Sequence, residues 1–197
     1  SRKNTNCSIA ESVERFQPVM ARARSAGVPV RGYVSCVLGC PYEGEIAPKA
    51  VANVAKSLID IGCYEISLGD TIGVGTPLAT QRMIGAVAEV VGIPQLAAHF
   101  HDTYGQALAN LLAALQMGVA VIDSSVAGLG GCPYAKGATG NVATEDVVFM
   151  LDGMEIATGI DLGQLAAAGW RVLDHINRAP AAGVSRALWQ KTQKSQA

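Results

Sequence analysis

Two histidines separated by one residue, His99 and His101, have the clearest spacing for chemistry in this sequence. They lie at the end of Gln95–Phe100, an apolar run that is typical of a short strand. In a strand, residues i and i+2 point to the same side, so both imidazoles project together from the strand end. Two ordinary polar residues at a strand terminus would show the same spacing. The pairing nevertheless favours imidazole ligation of one metal ion.

A glycine-rich segment, residues 128–141, carries further candidate groups, with five glycines in fourteen residues. Its position between a predicted strand and a predicted helix indicates a loop that can close over a ligand. Its cysteine, Cys132, is either an acid or base with a lowered thiol pKa or a passive surface residue. Asn141 ends the segment, and its amide oxygen is a donor that Mg²⁺ or Mn²⁺ accepts. We therefore predict that His99, His101 and Asn141 bind one divalent cation.

A carboxylate, Asp70, follows another predicted strand within the sequence SLGDTIG. At that position it is a general base, a group that orients a ligating histidine, or a helix cap, and the residue types leave these roles open. Tyr42 and Glu43 follow the first predicted strand. They line the mouth of the pocket or belong to plain surface.

Alternating strands and helices position these groups. The predicted strands are Pro29–Cys36, Tyr64–Leu68, Gln95–Phe100 and Val119–Ser124. The predicted helices are Ser8–Ala26, with Ser8 and Glu11 as a capping box, then Pro48–Ile61, Pro77–Val91, Tyr104–Met117, Thr144–Leu151 and Asp161–Asn177. This alternation predicts parallel βα units in a single α/β domain over residues 1–197.

The predicted architecture is a (β/α)₈ barrel, in which polar residues gather at the carboxyl ends of the strands. The chain contains only the last four βα units and C-terminal helices, followed by a polar tail at Gln190–Ala197, so we expect the earlier units before Ser1. A doubly wound dinucleotide fold is a weak alternative, because Gly73-Val74-Gly75 lacks the third glycine of the phosphate-binding turn.

The composition excludes several kinds of partner. The 197 residues are half apolar and carry a net charge of −1, which argues against binding to nucleic acid or an anionic membrane. No apolar run approaches the ~20 residues that cross a bilayer. The five cysteines are scattered, which indicates reduced thiols in a cytosol-like compartment. Cys36 and Cys40 lack the second pair of a structural zinc site.

Four motifs together resemble the 3-hydroxy-3-methylglutaryl-CoA lyase family. They are CVLGCPYEG at Cys36–Gly44, SLGDTIGVGTP at Ser67–Pro77, HFHDTYGQALAN at His99–Asn110 and DSSVAGLGGCPYAKGATGN at Asp123–Asn141. The glycine segment with its cysteine is the most specific of the four. The His-x-His element is similar to elements in isopropylmalate and citramalate synthases and in carboxyltransferase barrels.

The resemblance implies a retro-Claisen cleavage of hydroxymethylglutaryl-CoA to acetyl-CoA and acetoacetate. It implies that His99, His101 and Asn141 bind Mg²⁺ or Mn²⁺, and that Cys132 takes part in proton transfer to the acetyl-CoA enolate. It also implies that Asp70 is a carboxylate needed for full activity and that Glu145 is another functionally important residue. The expected partners are a small-molecule acyl-CoA and further copies of the chain, with no nucleic acid and no membrane.

One departure from the family pattern affects the expected activity. The family's first strand supplies an Arg-Asp pair, in which Asp is a further metal ligand and Arg neutralises the enolate oxygen. No such pair follows a predicted strand here, so we expect a fragment, or one half of a two-chain enzyme, that is inactive alone. The expected location is cytoplasmic, or mitochondrial if a transit peptide preceded the missing units.

Three alternatives stay open. A Claisen-type synthase that joins acetyl-CoA to a 2-oxo acid is disfavoured by Gly131-Cys132-Pro133-Tyr134, which such synthases lack. A lyase acting on a longer hydroxyacyl-thioester would carry the same segment. The third alternative is that the chain is not catalytic, and is either an inert fragment or a metal-binding oligomerisation module.

Overall fold

The computed structural model describes residues 1–131 and 140–194. Its four strands form one parallel sheet in the order β1-β2-β3-β4, which confirms the predicted parallel α/β fold. The strands are β1 (Arg31–Ser35), β2 (Glu65–Asp70), β3 (Leu96–Phe100) and β4 (Val121–Asp123). Each overlaps a predicted strand and is shorter at one or both ends, apart from β2, which extends to Asp70.

Helices alternate with these strands along the chain and pack against the sheet. They are α1 (Arg2–Thr5), α2 (Ile9–Ser25), α3 (Pro48–Asp60), α4 (Pro77–Ala88), α5 (Ala107–Gln116), α6 (Thr144–Gly153), α7 (Leu162–His175) and α8 (Gly183–Lys194). The predicted capping box begins α2: the Glu11 amide donates to Ser8 Oγ at 3.2 Å, and the Ser8 amide donates to the Glu11 carboxylate at 2.6 Å. Prolines at the first helical position begin α3 and α4, where their missing N–H is not needed.

The predicted polar tail at Gln190–Ala197 is wrong in its first part, because α8 continues to Lys194. The polar residues from Gln190 onward give no strong helical pattern in the sequence. Contacts between α7 and α8 stabilise the helix instead. The Trp170 and Trp189 rings pack edge to face with centroids 5.1 Å apart, and the Trp170 indole N–H donates to Ser185 Oγ at 3.0 Å. Residues 195–197 lie outside the described part of the chain.

The apolar core lies between the sheet and the helices. On β2, Ile66 and Leu68 are buried and belong to the same core cluster as Leu58 of α3 and Ile84 of α4. Ser67 alternates with them and therefore points to the opposite face of the strand. This period-two alternation separates an apolar, helix-facing surface from the polar surface that carries the candidate site.

The strand register aligns the residues of that polar surface. Gly69 of β2 pairs with His99 of β3, and His99 pairs with Asp123 of β4. Because all four strands are parallel, their carboxyl ends lie along the same edge of the sheet. None of the helices in the described ranges is long and apolar enough to cross a membrane.

An extended segment, Gly140–Ala143, lies beside β3, and only its first two residues were assigned from the sequence, as the end of a loop. The Asp102 amide donates to the Gly140 carbonyl at 3.0 Å, and the Val142 amide donates to the Phe100 carbonyl at 3.4 Å. Ala143 forms a parallel bridge with Ser125. These bonds attach the segment to the continuations of β3 and β4.

Candidate metal centre

The three predicted cation ligands lie at or beside the carboxyl end of β3. The His99 and His101 rings lie on the same side of the strand, with centroids 5.6 Å apart and planes inclined by 46°. Asn141 faces His101 through an antiparallel backbone bridge. Its side-chain N–H donates to the Leu129 carbonyl at 3.0 Å, which turns the amide oxygen away from that carbonyl. Their roles as ligands stay a prediction.

The surroundings of His101 favour a neutral imidazole. Burial lowers its pKa, and the neighbouring His99 lowers the pKa further. His101 is 8% exposed, and its Nδ1 has no hydrogen-bond partner within the described residues. A neutral imidazole with an unpartnered nitrogen fits a divalent cation, because a protonated imidazole cannot be a ligand. Neutral imidazoles and an amide oxygen are both groups that can bind a divalent cation, and the identity of that cation stays a prediction.

A hydrogen-bonded cluster below the histidines was not predicted from the sequence. Asp123 Oδ2 lies 3.3 Å from His99 Nδ1 and accepts a hydrogen bond from Ser67 Oγ at 2.7 Å. Arg31 Nη1 donates to both carboxylate oxygens of Asp123, at 2.8 and 3.0 Å. Arg31 is itself paired with Glu65 through Nε. The available sequence signal was a set of polar residues at alternating strand positions that register brings to one face.

Electrostatics keep this cluster ionised. Burial alone would raise the pKa of Asp123, but the hydrogen bonds from His99 and Ser67, together with the Arg31 guanidinium, lower that pKa to about 2. Burial works against the charge of Arg31 as well, and the Asp123 and Glu65 carboxylates more than compensate by raising its pKa. Asp123 is thus a carboxylate at neutral pH and can only accept hydrogen bonds.

The predicted catalytic carboxylate Asp70 lies beneath the loop that follows β2. It is fully buried, and its two oxygens accept the Gly75 amide at 2.8 Å and the Val74 amide at 3.3 Å. Burial raises its pKa, and these amides oppose the rise. A β-carbon at Gly75 would lie 2.8 Å from Asp70 Oδ2, so the loop approaches the carboxylate closely. This geometry shapes the loop; a direct catalytic role for Asp70 stays a prediction.

Glu145, the other predicted carboxylate, holds a strained turn. Both of its oxygens accept the Ala127 amide, at 2.8 and 3.1 Å. Ala127 has φ 58°, a left-handed conformation that costs a non-glycine residue about 1–2 kcal/mol. Burial raises the pKa of Glu145. On α7, a β-carbon at Gly169 would lie 2.8 Å from Glu145 Oε1, so this helix approaches the carboxylate directly.

The glycine segment is closed at its base by two glycines. A β-carbon at Gly140, where φ is 92°, would lie 1.9 Å from the Gly130 carbonyl oxygen, so the backbone can approach this closely only without a side chain. Gly130 in turn lies against the amide of Asn141, 2.7 Å from the position of a β-carbon. Residues 130 and 140 therefore form a narrow neck next to Asn141. The predicted acid or base Cys132 lies outside the described residues.

Tyr42 and Glu43 line a cavity of about 450 Å³ between β1 and the helices α1, α2 and α3. None of the predicted cation ligands lines this cavity, so it is separate from the candidate metal centre. Within the described ranges, no group of three or more His, Cys, Asp or Glu side chains is arranged to hold a metal ion. The predicted centre depends instead on an amide as its third donor. Cys7, Cys40 and Cys63 are free thiols.

Comparison with known proteins gives a consistent assignment of the fold. A family model described as HMGL-like matches residues 1–172. A curated relative from Pseudomonas aeruginosa, 3-hydroxy-3-isohexenylglutaryl-CoA/hydroxy-methylglutaryl-CoA lyase, is 59% identical over 191 residues, covering 97% of this chain and 64% of that protein.

Solved structures agree with this match. The crystal structure of hydroxymethylglutaryl-CoA lyase from Pseudomonas aeruginosa superposes with a TM-score of 0.95 at 59% identity, over 97% of this chain and 64% of that one. An HMG-CoA lyase from Acinetobacter baumannii, in complex with coenzyme A and 3-methylmalate, has a TM-score of 0.88 at 32% identity over 94% and 61%. The chain spans about three fifths of the length of these proteins.

Proposed function

Since this chain belongs to the HMGL-like family, we propose that it supplies the metal-binding part of a lyase that cleaves 3-hydroxy-3-methylglutaryl-CoA to acetyl-CoA and acetoacetate. The observation that carries the proposal is that the His99 and His101 rings lie side by side at one strand end, where a backbone bridge joins His101 to Asn141. A carbon–carbon cleavage next to a thioester leaves an enolate, so it needs an electrophile and a proton donor at the same place.

The protein side chains prepare the site for that chemistry. Burial lowers the pKa of His101 and favours its neutral form, and His99 Nδ1 lies 3.3 Å from Asp123 Oδ2. A bound Mg²⁺ or Mn²⁺ would act as a Lewis acid on the substrate oxygens. Cys132 is the proposed proton donor to the enolate. Asp70 and Glu145 would act by shaping the loops around the substrate.

The proposed substrate is a small acyl-CoA. The Acinetobacter baumannii structure was solved with coenzyme A and 3-methylmalate, a branched dicarboxylate. A second candidate substrate is a longer 3-hydroxyacyl-CoA, because the name of the Pseudomonas aeruginosa relative includes 3-hydroxy-3-isohexenylglutaryl-CoA. Comparing the two thioesters as substrates would separate these candidates.

We further propose that the sheet is the carboxyl-terminal part of a (β/α)₈ barrel. The four strands would be consecutive strand positions in it, and Gly140–Ala143 would bridge the continuations of β3 and β4 beyond the strand ends. The TM-score of 0.95 to a lyase of which this chain covers 64% supports that arrangement. The remaining strand positions, and the Arg-Asp pair implied by the family resemblance, would come from residues outside this chain. A homo-oligomer of the complete enzyme remains part of the same proposal.

An assay with two proteins tests the function. The first is this chain alone; the second is a fusion in which the uncovered amino-terminal part of the Pseudomonas aeruginosa lyase precedes Ser1. Both are incubated with hydroxymethylglutaryl-CoA and Mg²⁺ or Mn²⁺, and acetoacetate is measured. We expect product from the fusion only, since losing an oxyanion-stabilising arginine typically costs ~10²–10³ in rate. An inactive, folded fusion would refute the lyase function, and an active isolated chain would refute the requirement for a missing Arg-Asp pair.

Replacing the proposed proton donor separates it from the cation ligands. In the fusion, Cys132→Ala should lower turnover by about 10²–10⁴, the usual contribution of general acid–base catalysis, while the Mn²⁺ dissociation constant stays almost unchanged. Turnover by stopped assay and Mn²⁺ binding by electron paramagnetic resonance provide the two readouts. A fall in Mn²⁺ affinity as large as that of His99→Ala would make the thiol a ligand.

A further inference from the structure

The carboxylate of Asp123 has an environment that goes beyond a simple ion pair. Three groups from three strands reach it: Arg31 Nη1 from β1 and Ser67 Oγ from β2 donate at 2.7–3.0 Å, and His99 Nδ1 from β3 lies at 3.3 Å. Its side chain is only 20% exposed, and that of Arg31 is 18% exposed. The guanidinium of Arg31 is already held by two carboxylates, so it loses little further conformational entropy when it fixes Asp123.

The chemistry of the acceptor determines which nitrogen of His99 carries the proton. A carboxylate paired with a guanidinium is ionised, and an ionised carboxylate has no proton to donate. The contact between Asp123 Oδ2 and His99 Nδ1 therefore requires a hydrogen on Nδ1. In a neutral ring with that hydrogen, Nε2 has a free lone pair. A carboxylate that orients a histidine in this way is a general feature of histidine metal ligands.

We propose that Asp123 is a positioning residue that holds His99 as the Nδ1–H tautomer and so leaves Nε2 for a divalent cation. Arg31 and Ser67 fix the carboxylate, and Asp123 transmits that order to the ring. The role of the cation rests on the proposed function; the tautomer does not. Asp123 lies behind His99, so its effect acts through the ring.

The Asp123→Asn variant makes the sharpest test because it keeps the shape of the side chain. Arg31 contacts both oxygens and would retain the amide oxygen, which leaves the amide NH₂ facing Ser67 and His99. That NH₂ is a donor, so Nδ1 would have to accept, and the hydrogen would move to Nε2. The nitrogen intended for the cation would then be blocked.

The primary measurement is the ¹⁵N chemical shift pattern of the His99 ring in the full chain without metal, from long-range ¹H–¹⁵N correlation spectra. We expect the Nδ1–H pattern in the unmodified chain and a shift toward Nε2–H in Asp123→Asn. Asp60→Asn makes the same charge change in an exposed ion pair of α3, with Lys56 at 2.8 Å, and should leave the His99 pattern unchanged. Ser67→Ala removes one support of Asp123 and should keep Nδ1–H, which shows that a polar deletion nearby does not itself change the tautomer.

The second measurement is Mn²⁺ binding by the same four proteins. Loss of such an orienting group typically lowers metal affinity about 10–100-fold, so Asp123→Asn should do so and Asp60→Asn should not. An unchanged His99 tautomer in Asp123→Asn would overturn the proposal. So would a changed tautomer with unchanged Mn²⁺ affinity. If the unmodified chain shows the Nδ1–H tautomer but binds no Mn²⁺, the proposed cation site fails while the orientation of His99 by Asp123 stands.

Discussion

Asp70 and Asp123 are aspartates at the carboxyl ends of two strands of one sheet, but their surroundings give them opposite properties. Asp123 is contacted by the Arg31 cation, by the Ser67 hydroxyl and by His99, and its pKa is lowered to about 2. Asp70 is contacted by amides of its own loop and has its pKa raised by burial. A carboxylate with a cationic partner can orient another side chain, whereas one surrounded by backbone amides stabilises a turn. Position at a strand end alone does not distinguish the two.

The largest expected effect comes from removing the ring that Asp123 orients. His99→Ala deletes a proposed cation ligand, and a bound cation supplies several kcal/mol of transition-state stabilisation, or roughly 10³-fold in rate. In the fusion enzyme, turnover should fall by about that factor, and Mn²⁺ affinity should fall with it. If the variant keeps more than a tenth of the activity of the parent enzyme, His99 is not an essential ligand and its contact with Asp123 has no role in catalysis.

Asp70→Ala sharpens the other side of the comparison. The variant leaves the amides of Val74 and Gly75 buried without an acceptor, which costs about 1–3 kcal/mol of unfolding free energy. Urea denaturation of the isolated chain measures that loss, and Asp70→Asn, which keeps one acceptor, should lose less. Mn²⁺ affinity should stay within about a factor of two, because the Asp70 carboxylate bonds only its loop, and the contact of Asp70 with His101 runs through its backbone carbonyl, which the substitution keeps. An affinity loss comparable to that of His99→Ala would place Asp70 with Asp123.

Glu145 should behave like Asp70 in its response to pH. Its pKa is raised above the ordinary 4.5, so the stability it contributes is fully present below pH 4.5 and is lost as pH rises through the folded-state pKa. Glu145→Gln keeps an acceptor for the Ala127 amide and removes the buried charge. The unfolding free energy of the variant should therefore exceed that of the parent by more at pH 8 than at pH 4.5. Urea titrations at both pH values measure the difference; a difference that grows toward acid pH would contradict the assignment.

The smallest effect tests how closely α7 approaches Glu145. Gly169→Ala places a methyl group 2.8 Å from Glu145 Oε1 and 3.2 Å from Val126 Cγ1. Overpacking of about 1–3 kcal/mol should exceed the helix-propensity gain of about 1 kcal/mol, giving a small net destabilisation. Gly85→Ala in α4 is the matched control, since its β-carbon meets only Met117 Cε at 4.0 Å and should be stabilising. Equal stabilisation of both variants in thermal denaturation would show that this approach is not tight.

Much of the fold could be predicted because local signals agree with it. Proline at the first turns of α3 and α4, and the Ser8–Glu11 capping box, each specify a boundary through nearby groups. The i, i+2 rule correctly placed His99 and His101 on one side of β3. The helix at Gly183–Lys194 was missed because the Trp170–Trp189 contact that stabilises it joins separate elements.

The Asp123 cluster was missed for a related reason. Arg31 and Asp123 are 92 residues apart, and their contact depends on strand order and register together. Taken singly in the sequence, Arg31 and Asp123 are each typical of an ordinary charged residue at a strand terminus. Asp70 and Glu145 could be located from the sequence, but not the backbone amides that occupy their oxygens.

Gly130 and Gly140 form a neck, and because of it the position of Asn141 does not depend on the length of the glycine segment. The Asp102 and Val142 amides bond on either side of Asn141, so the sheet fixes this residue whatever number of residues the neck encloses. Closing a loop of twice the length costs only about 0.6 kcal/mol more. We therefore expect Asn141 to keep its register with His101 when the length of the chain between residues 131 and 140 is changed.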